Sequence, residues 1–445
     1  MKKPINPEKI RKFETMRKPL NLQDAIKEAN RCLLCHDAPC NKGCPAGTDP
    51  ARFIRQIRFY NFKGAARTIR NNNAMGSVCS FLCPVEKLCE KECSVLALED
   101  PININGLQRF AWEYGKNNGI EKQYKGNQNQ GNVAIIGAGP AGMSCAAELA
   151  KMDYKVTIFE KEEESGGVAK WNIPDFRITK EAVDYDLSNL KDLGVEIIYN
   201  KKIESQNEIP KMLNNGYQSV FLASGISEAY ELKLFEEYSN TTNYSAFLRD
   251  VKTKHNEIDL KGKNVAIIGG GSVAIDSATS AAALGAKKVY LISLEHLDEL
   301  PADKEEIKIA RLMNIVFKAG SQITDVISTD NEITGLKGIE IEWIEQGKFN
   351  SENARQIDGT EFSLNVDLVI QAIGTRSGKE INKTIPGLIT KGNGIVIINE
   401  NRETNIPGVF AGGDVISTGA TVVQAIGDGK NAAKAIDNFI KKGGR

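Results

Sequence analysis

The sequence has no excess of either charge: Lys+Arg and Asp+Glu each number 57 in 445 residues. That balance favours neither a nucleic acid nor an anionic membrane as partner. Long hydrophobic runs are missing too. The longest uncharged apolar stretch, "VAIIGAGPAGMSCAA", is short for a membrane span and is broken by Gly and Pro. The basic start (Lys2, Lys3, Lys9, Arg11, Lys12, Arg17, Lys18) has acidic interruptions and no signal-peptide core behind it. It reads as a solvated face, and a cytoplasmic protein is the expectation. Aromatics are sparse at 7%, yet 41% hydrophobic residues suffice for two or three domains with cores of their own. Most of the chain also lacks cysteine: of nine, only Cys145 lies beyond residue 93. Disulfides are not expected in a cytosolic chain, so the crowding of the others points to metal or redox chemistry.

Three zones follow one another. Residues 1–114 carry the cysteines and helical patterns such as "DPARFIRQIRFYNFKGAARTIR", with no convincing strand. Residues 115–132, "GKNNGIEKQYKGNQNQGN", are polar and read as a linker. From residue 133 strands and helices alternate, and a strand–glycine turn–helix unit occurs twice. The expected fold class is α/β, with two Rossmann-like dinucleotide-binding domains preceded by an all-helical domain.

The first turn is Gly137-Ala138-Gly139-Pro140-Ala141-Gly142. In such a turn the first Gly makes the bend, the second admits a pyrophosphate, and the third lets helix and strand pack closely. The phosphates then sit at a helix N-terminus, where unpaired N–H groups favour anions. The next strand ends in Glu160, a carboxylate placed for ribose hydroxyls. The second turn is Gly269-Gly270-Gly271-Ser272-Val273-Ala274, and its following strand ends at Ser293-Leu294-Glu295. No basic residue stands there to hold a 2′-phosphate and Glu295 would repel one, so NADH is expected over NADPH.

Residues 133–438 resemble the two-dinucleotide-binding flavoproteins: "VFLASG" (220–225) and "VIQAIG" (369–374) match their strand-end motifs, and "GVFAGGDV" (408–415) their late FAD motif. The resemblance implies a discontinuous FAD domain, 133–261 and 373–445, with the NAD(P)H domain 262–372 inserted. It places FAD against Gly137, Ala138, Gly139, Pro140, Gly142, Glu160, Gly167, Arg177, Asp414, Thr421 and Val422. NADH would meet Gly269, Gly270, Gly271, Ser272, Val273, Glu295, Ala372 and Gly374. The helix from Thr421 would aim its positive end at the flavin pyrimidine. The disulfide-reducing branch of these flavoproteins carries a Cys pair beside the flavin. This chain has none there, and Cys145 reads as a small buried thiol.

The cysteines read C-x2-C-x4-C-x3-C-P (Cys32, Cys35, Cys40, Cys44) and C-x3-C-P-x4-C-x3-C (Cys79, Cys83, Cys89, Cys93). Four thiolates can also hold structural zinc, but usually as two short pairs split by a longer loop. Crowded runs with Cys-Pro are similar to two-cluster ferredoxin patterns, in which one run lends a Cys to the other cluster. A flavin without a dithiol partner needs a one-electron acceptor, so [4Fe–4S] is favoured over zinc. His36 reads as a surface residue.

The order helical Cys-rich domain, FAD domain, NAD(P) domain resembles the small subunit of glutamate synthase. The stretch from Cys32 to Cys89 and "PININGLQRF" (101–110) are closer still to dihydropyrimidine dehydrogenase and its separate NAD-dependent bacterial subunit. In that family a glutamine after the last Cys binds one cluster, and Gln108 stands at the matching place. The resemblance implies Cys32, Cys35, Cys40 and Cys93 for one cluster, and Cys44, Cys83, Cys89 and Gln108 for the other. Cys79 is left over, although a cluster that includes it instead of Gln108 stays open.

What this implies is an electron-input subunit of pyrimidine catabolism, drawing on NADH, FAD and two [4Fe–4S] clusters. No side chain is expected to act as acid or base, since the chemistry is flavin-centred. The chain has no room for the family's FMN-containing barrel, so a partner subunit is expected, in a heteromer and as a heterotetramer, to interconvert uracil or thymine with 5,6-dihydropyrimidines. A glutamate synthase small subunit is the rival enzyme, and a non-catalytic zinc-binding assembly module the rival of another class.

Overall fold

Asparagine and aspartate start the helices of the N-terminal region. A computed structural model describes residues 5–16, 18–120, 126–226, 228–376, 385–417, 419 and 421–444. Its first helices are α1 (Pro7–Arg11), α2 (Leu22–Asn30), α3 (Pro39–Lys42), α4 (Pro50–Arg58), α5 (Phe62–Asn72), α6 (Gly76–Leu82) and α7 (Ile104–Asn118). The side chains of Asn21, Asp49, Asn61 and Asn103 accept from N–H groups in the first turns of α2, α4, α5 and α7. Helix α6 stops where Cys83 precedes Pro84, a position biased to extended backbone. Gly115 permits close crossing of α7 on α5, because a Cβ there would stand 2.6 Å from that of Ala66. Helix α7 runs on to Asn118, past the residue-114 boundary. Of the stretch read as a linker, residues 121–125 lie outside the described residues.

The first parallel sheet uses β1 (Asn132–Ile136), β2 (Lys155–Phe159), β3 (Glu196–Ile198), β4 (Ser219–Leu222) and β16 (Val409–Ala411) in the order β16-β4-β1-β2-β3. Its helices include α8 (Pro140–Lys151), α9 (Val168–Trp171), α10 (Lys180–Asp192) and α11 (Glu208–Asn214). A short antiparallel pair, β5 (Glu228–Ala229) with β15 (Thr375–Arg376), carries the chain across and back. The second parallel sheet uses β6 (Thr241–Asn243), β7 (Asn264–Ile268), β8 (Lys288–Ile292), β9 (Val316–Lys318) and β14 (Leu368–Gln371), ordered β6-β14-β7-β8-β9. Helices α12 (Tyr244–Lys254), α13 (Ser272–Ala283) and α14 (Lys304–Leu312) accompany it. Strands β10 (Ser321–Thr329), β11 (Glu332–Trp343), β12 (Ala354–Gln356) and β13 (Phe362–Asn365) form an antiparallel sheet between β9 and β14, and α15 (Val422–Lys441) closes the chain. The parallel sheets reverse strand order beside β1 and β7, which opens a crevice at the carboxyl ends of these strands.

Two expectations about boundaries are corrected. Residue 261 is too late for the end of the first unit, because β6 pairs with β14 and α12 packs on α13, so residues 241–261 belong with the second sheet. The N-terminal segment is solvated at its basic residues Arg11, Lys12 and Lys18, while Lys2, Lys3 and Arg17 lie outside the described residues, but its apolar side packs on the second unit and not on the helical region. Ile10 and Met16 are buried in the core of the second sheet's unit together with Phe176, because this segment supplies an apolar side chain on every turn that meets that unit. The helical region joins the first unit through a shared core that includes Met75, Val78, Cys79 and Trp112. Lys430 Nζ of α15 donates to the carbonyls of Ala46 (2.7 Å) and Asn72 (2.6 Å), fastening the loop between α3 and α4 and the end of α5. Among the described residues no helix is long and apolar enough to cross a membrane.

Candidate cofactor sites

At the carboxyl end of β1 the glycines divide their roles as the sequence suggests. Gly137 has φ +103°, and a Cβ there would lie 2.5 Å from the Ala223 carbonyl oxygen. At Gly142 a Cβ would run into the Gly137 carbonyl. Gly139 is different: its nearest neighbour would be the Gly167 Cα at 3.9 Å, so the space before α8 is open to a ligand. Gly139 caps α8 without a side-chain hydrogen bond, which leaves the helix N–H groups for an anion. Glu160 Oε2 accepts from Ala138 N–H (2.6 Å) and Oε1 from Glu162 N–H (2.9 Å). The carboxylate thus rigidifies the turn while it lines the cavity.

That cavity, about 300 Å³, is bordered by Gly137, Gly139, Pro140, Glu160, Gly167, Asp414, Thr421 and Val422. Thr421 caps α15 through its hydroxyl and a reciprocal bond with Gln424, so a 20-residue helix points its N-terminus at the space. Burial and the charge of Asp414 push the Tyr244 hydroxyl up to about 12. Trp171 is buried against the cavity, and among the described residues its indole N–H has no partner. An elongated, partly anionic ligand such as FAD fits this open glycine, helix N-terminus and waiting donor. Arg249 was not expected here. Arg249 pairs with Glu162 (2.6 Å) and lies 4.8 Å over the Trp171 ring. It arrives from α12, far along the chain, and nothing local announces it.

Arg177 requires a correction. It does not line the cavity. Its guanidinium is buried between Asp276 of α13 (2.7 Å) and Glu306 of α14 (2.8 Å), two carboxylates of the second unit that hold it away from the first sheet's crevice.

The second turn repeats the design. A Cβ at Gly269 (φ +133°) would strike the Ala372 carbonyl, whereas one at Gly271 would meet nothing within 4 Å. Gly271 caps α13 with no side-chain bond. Ser272 and Val273 begin that helix, and Gly374, with φ +106°, accepts from Tyr230 N–H at 3.0 Å in the crossover. A Cβ on Gly270 would stand 3.2 Å from Glu295 Oε2, so the carboxylate reaches the turn. A nicotinamide dinucleotide fits the open glycine and the uncapped helix.

The cysteines gather around two cavities. Cys32, Cys35, Cys40 and Cys93 line one, walled by Leu34, Ile54, Val95 and Ile104. Burial, then the neighbouring thiolates of Cys32, Cys93 and Cys35, push Cys40 up to about 12. Cys44, Cys79, Cys83, Cys89 and Gln108 line the other. Gln108 is buried, and its Nε2 donates to the Gly76 carbonyl at 2.7 Å, so that Oε1 is the acceptor atom of the amide. Cys79 Sγ accepts from Asn73 Nδ2 at 3.4 Å. Each cavity is rimmed by donors rather than centred on one point, and among the described residues no three Cys, His, Asp or Glu converge to hold a single ion. Val422 lines the dinucleotide cavity and Val423, the next residue, lines the Gln108 cavity. Ile104 borders both thiol cavities.

A family model for dihydropyrimidine dehydrogenase domain II, 4Fe-4S cluster, matches residues 9–120, and one for pyridine nucleotide-disulphide oxidoreductases matches residues 131–429. The NAD-dependent dihydropyrimidine dehydrogenase subunit PreT of Escherichia coli (strain K12) is 37% identical over 417 residues, 94% of each chain. This chain belongs to that family. The PreT subunit of Salmonella typhimurium is 35% identical over 418 residues, 94% of this chain and 95% of its own. Among solved structures, Mycobacterium tuberculosis FprA in complex with NADPH is 17% identical with a TM-score of 0.58, over 70% of this chain and 85% of its own. Lactococcus lactis thioredoxin reductase is 21% identical with a TM-score of 0.54, over 70% and 99%. These two show the fold of the paired sheets alone. Like other members of the PreT family, this chain is an oxidoreductase that joins a 4Fe-4S region to a pyridine nucleotide-dependent flavoprotein fold. Its one cysteine beyond residue 93, Cys145, is buried in α8 and makes no dithiol.

Proposed function

We propose that this chain is the electron-input subunit of a dihydropyrimidine dehydrogenase. NADH binds at the Gly269–Val273 turn of the second unit, FAD in the cavity of the first, and [4Fe–4S] clusters in the two thiol cavities. The ligands are Cys32, Cys35, Cys40 and Cys93 for one cluster, and Cys44, Cys83, Cys89 and Gln108 for the other. A flavin takes up an electron pair as hydride and releases single electrons, which clusters carry onward. A partner subunit holding FMN interconverts uracil or thymine with the 5,6-dihydropyrimidine.

The chain's own residues position and insulate. Gly139 and Gly271 leave room for pyrophosphates, and the α15 N-terminus favours negative charge at the inner end of the cavity. Glu295 at the second turn selects ribose hydroxyls over a 2′-phosphate. One observation carries the reading: consecutive residues, Val422 and Val423, form the wall between the dinucleotide cavity and the Gln108 cavity. The first turn of α15 thus borders both a flavin site and a cluster site. The Gln108 cluster therefore comes first, and the Cys32 cluster, beyond Ile104, hands electrons to the partner.

The test is to co-purify the chain with candidate large subunits. NADH-dependent uracil reduction is then compared with glutamine-dependent glutamate formation. Restoration of the first supports the assignment, and restoration of the second alone replaces it with the glutamate synthase reading.

A further inference from the structure

Asn105 sits in the first turn of α7, three residues before Gln108, so the two side chains share a helix face. Both line the cavity of Cys44, Cys83 and Cys89. Asn105 is 4% exposed, and among the described residues its side-chain Nδ2 has no hydrogen-bond partner. Leaving a buried amide donor unpaired costs about 1–3 kcal/mol, so such a group is expected to have a partner in the loaded protein. Its backbone is fixed, because Asn105 N–H donates to Glu90 Oε1 at 3.4 Å, beside Cys89. The cavity already contains two N–H···S contacts, from Thr48 N–H to Cys44 Sγ and from Asn73 Nδ2 to Cys79 Sγ, both at 3.4 Å. By contrast the Cys32 cavity is walled mostly by aliphatic side chains.

We infer that Asn105 donates an N–H···S hydrogen bond to the cluster held by Cys44, Cys83, Cys89 and Gln108, and sets its potential above that of an otherwise identical centre. The inference rests on the ligand assignment under the proposed function. Reduction adds negative charge to the cluster, and a donor aimed at its sulfur stabilises that charge. A neutral glutamine ligand acts in the same direction. Asn105 is a positioning and tuning residue, not a ligand. It also borders a cleft lined by Phe81 and Arg109, which gives the inference a clear way to fail.

The experiment uses anaerobically reconstituted full-length protein, redox titration followed by electron paramagnetic resonance, and iron analysis. Asn105→Leu removes both donors at similar size, and Asn105→Ser returns a short hydroxyl donor. With both clusters loaded, Asn105→Leu should shift the Gln108 cluster to a more negative potential, Asn105→Ser should recover part of the shift, and the Cys32 cluster should not move. Unchanged potentials with full iron in Asn105→Leu would place the amide in the Arg109 cleft and overturn the inference. Iron loss in both variants would show a packing role and overturn it as well. Failure of the ligand assignment is separate: it would appear as full iron in Gln108→Ala, whatever Asn105 does.

Discussion

Gln108 and Cys79 compete for one coordination position, and their surroundings already differ. The Gln108 amide is oriented by the Gly76 carbonyl, whereas Cys79 is engaged by Asn73 and lies next to Cys83, whose thiol its hydrogen bond and burial both push up. Gln108→Ala should therefore lose roughly half of the iron, the content of one of two equal clusters. Flavin content and NADH–dye reduction should survive. Iron and acid-labile sulfide analysis checks this, and Cys79→Ser serves as the comparison: if it alone loses iron, Cys79 is the fourth ligand. A second residue-scale prediction concerns Glu295, whose carboxylate reaches the glycine turn. Glu295→Arg with Leu294→Arg replaces repulsion of a 2′-phosphate by charge-assisted bonds worth about 1.5–3 kcal/mol. The ratio of kcat/KM for NADPH over NADH should then rise by at least about tenfold. An unchanged ratio means that this strand end does not read the ribose.

Elements tell which glycines serve the fold and which serve the ligand. The bend glycines Gly137 and Gly269 and the packing glycine Gly142 are crowded, while Gly139 and Gly271 face open space. Gly142→Ala should lower stability by about 1–3 kcal/mol, as overpacking does, because its Cβ meets the Gly137 carbonyl. Gly139→Ala and Gly271→Ala should melt close to the parent but weaken FAD retention and NADH affinity respectively. Thermal melts, flavin content and KM for NADH separate these outcomes. The two turns were legible because their chemistry is local: period-2 strand, glycine spacing and helix follow one another within a few residues. The grouping of cysteines was legible from resemblance, and spacing alone left zinc open. The antiparallel sheet β10–β13 was passed over although its signal was present. "ITDVIST" is rich in β-branched residues, "IEIEW" alternates, and Asp330-Asn331 between the two strands both take positive φ (+47° and +66°), as a tight hairpin turn requires. Arg177 and the N-terminal segment were not legible, since their partners lie far along the chain and only the tertiary fold supplies them.

On the scale of the molecule, the second unit is tied to the rest at several points around its rim. Ile10 and Met16 enter its core, Phe13 stacks on His255 with ring centroids 4.7 Å apart, and Lys252 pairs with Asp175 at 2.6 Å. Lys87 of the helical region pairs with Asp303. The most buried tie is Arg177 between Asp276 and Glu306, and here the electrostatics make a pH prediction. Burial, opposed by Arg177 and reinforced by Glu306, pushes Asp276 up to about 6 from an ordinary 3.8. The unfolded chain gives up this proton at lower pH than the native one, so between those values the native state binds more protons. Stability from this group is then greatest at low pH, falls as pH rises through the window, and is level above it. At 1.36 kcal/mol per pKa unit, the loss between about pH 5 and pH 7 is about 1 kcal/mol. Asp276→Asn removes the titration but keeps the size, so the stability difference between parent and variant should change by that amount across the window and stay flat above about pH 7. Paired denaturant titrations of the flavin-loaded proteins measure it. A difference that does not vary with pH would mean that Arg177 holds Asp276 ionised throughout, and that the tie is a fixed ion pair with no protonatable member.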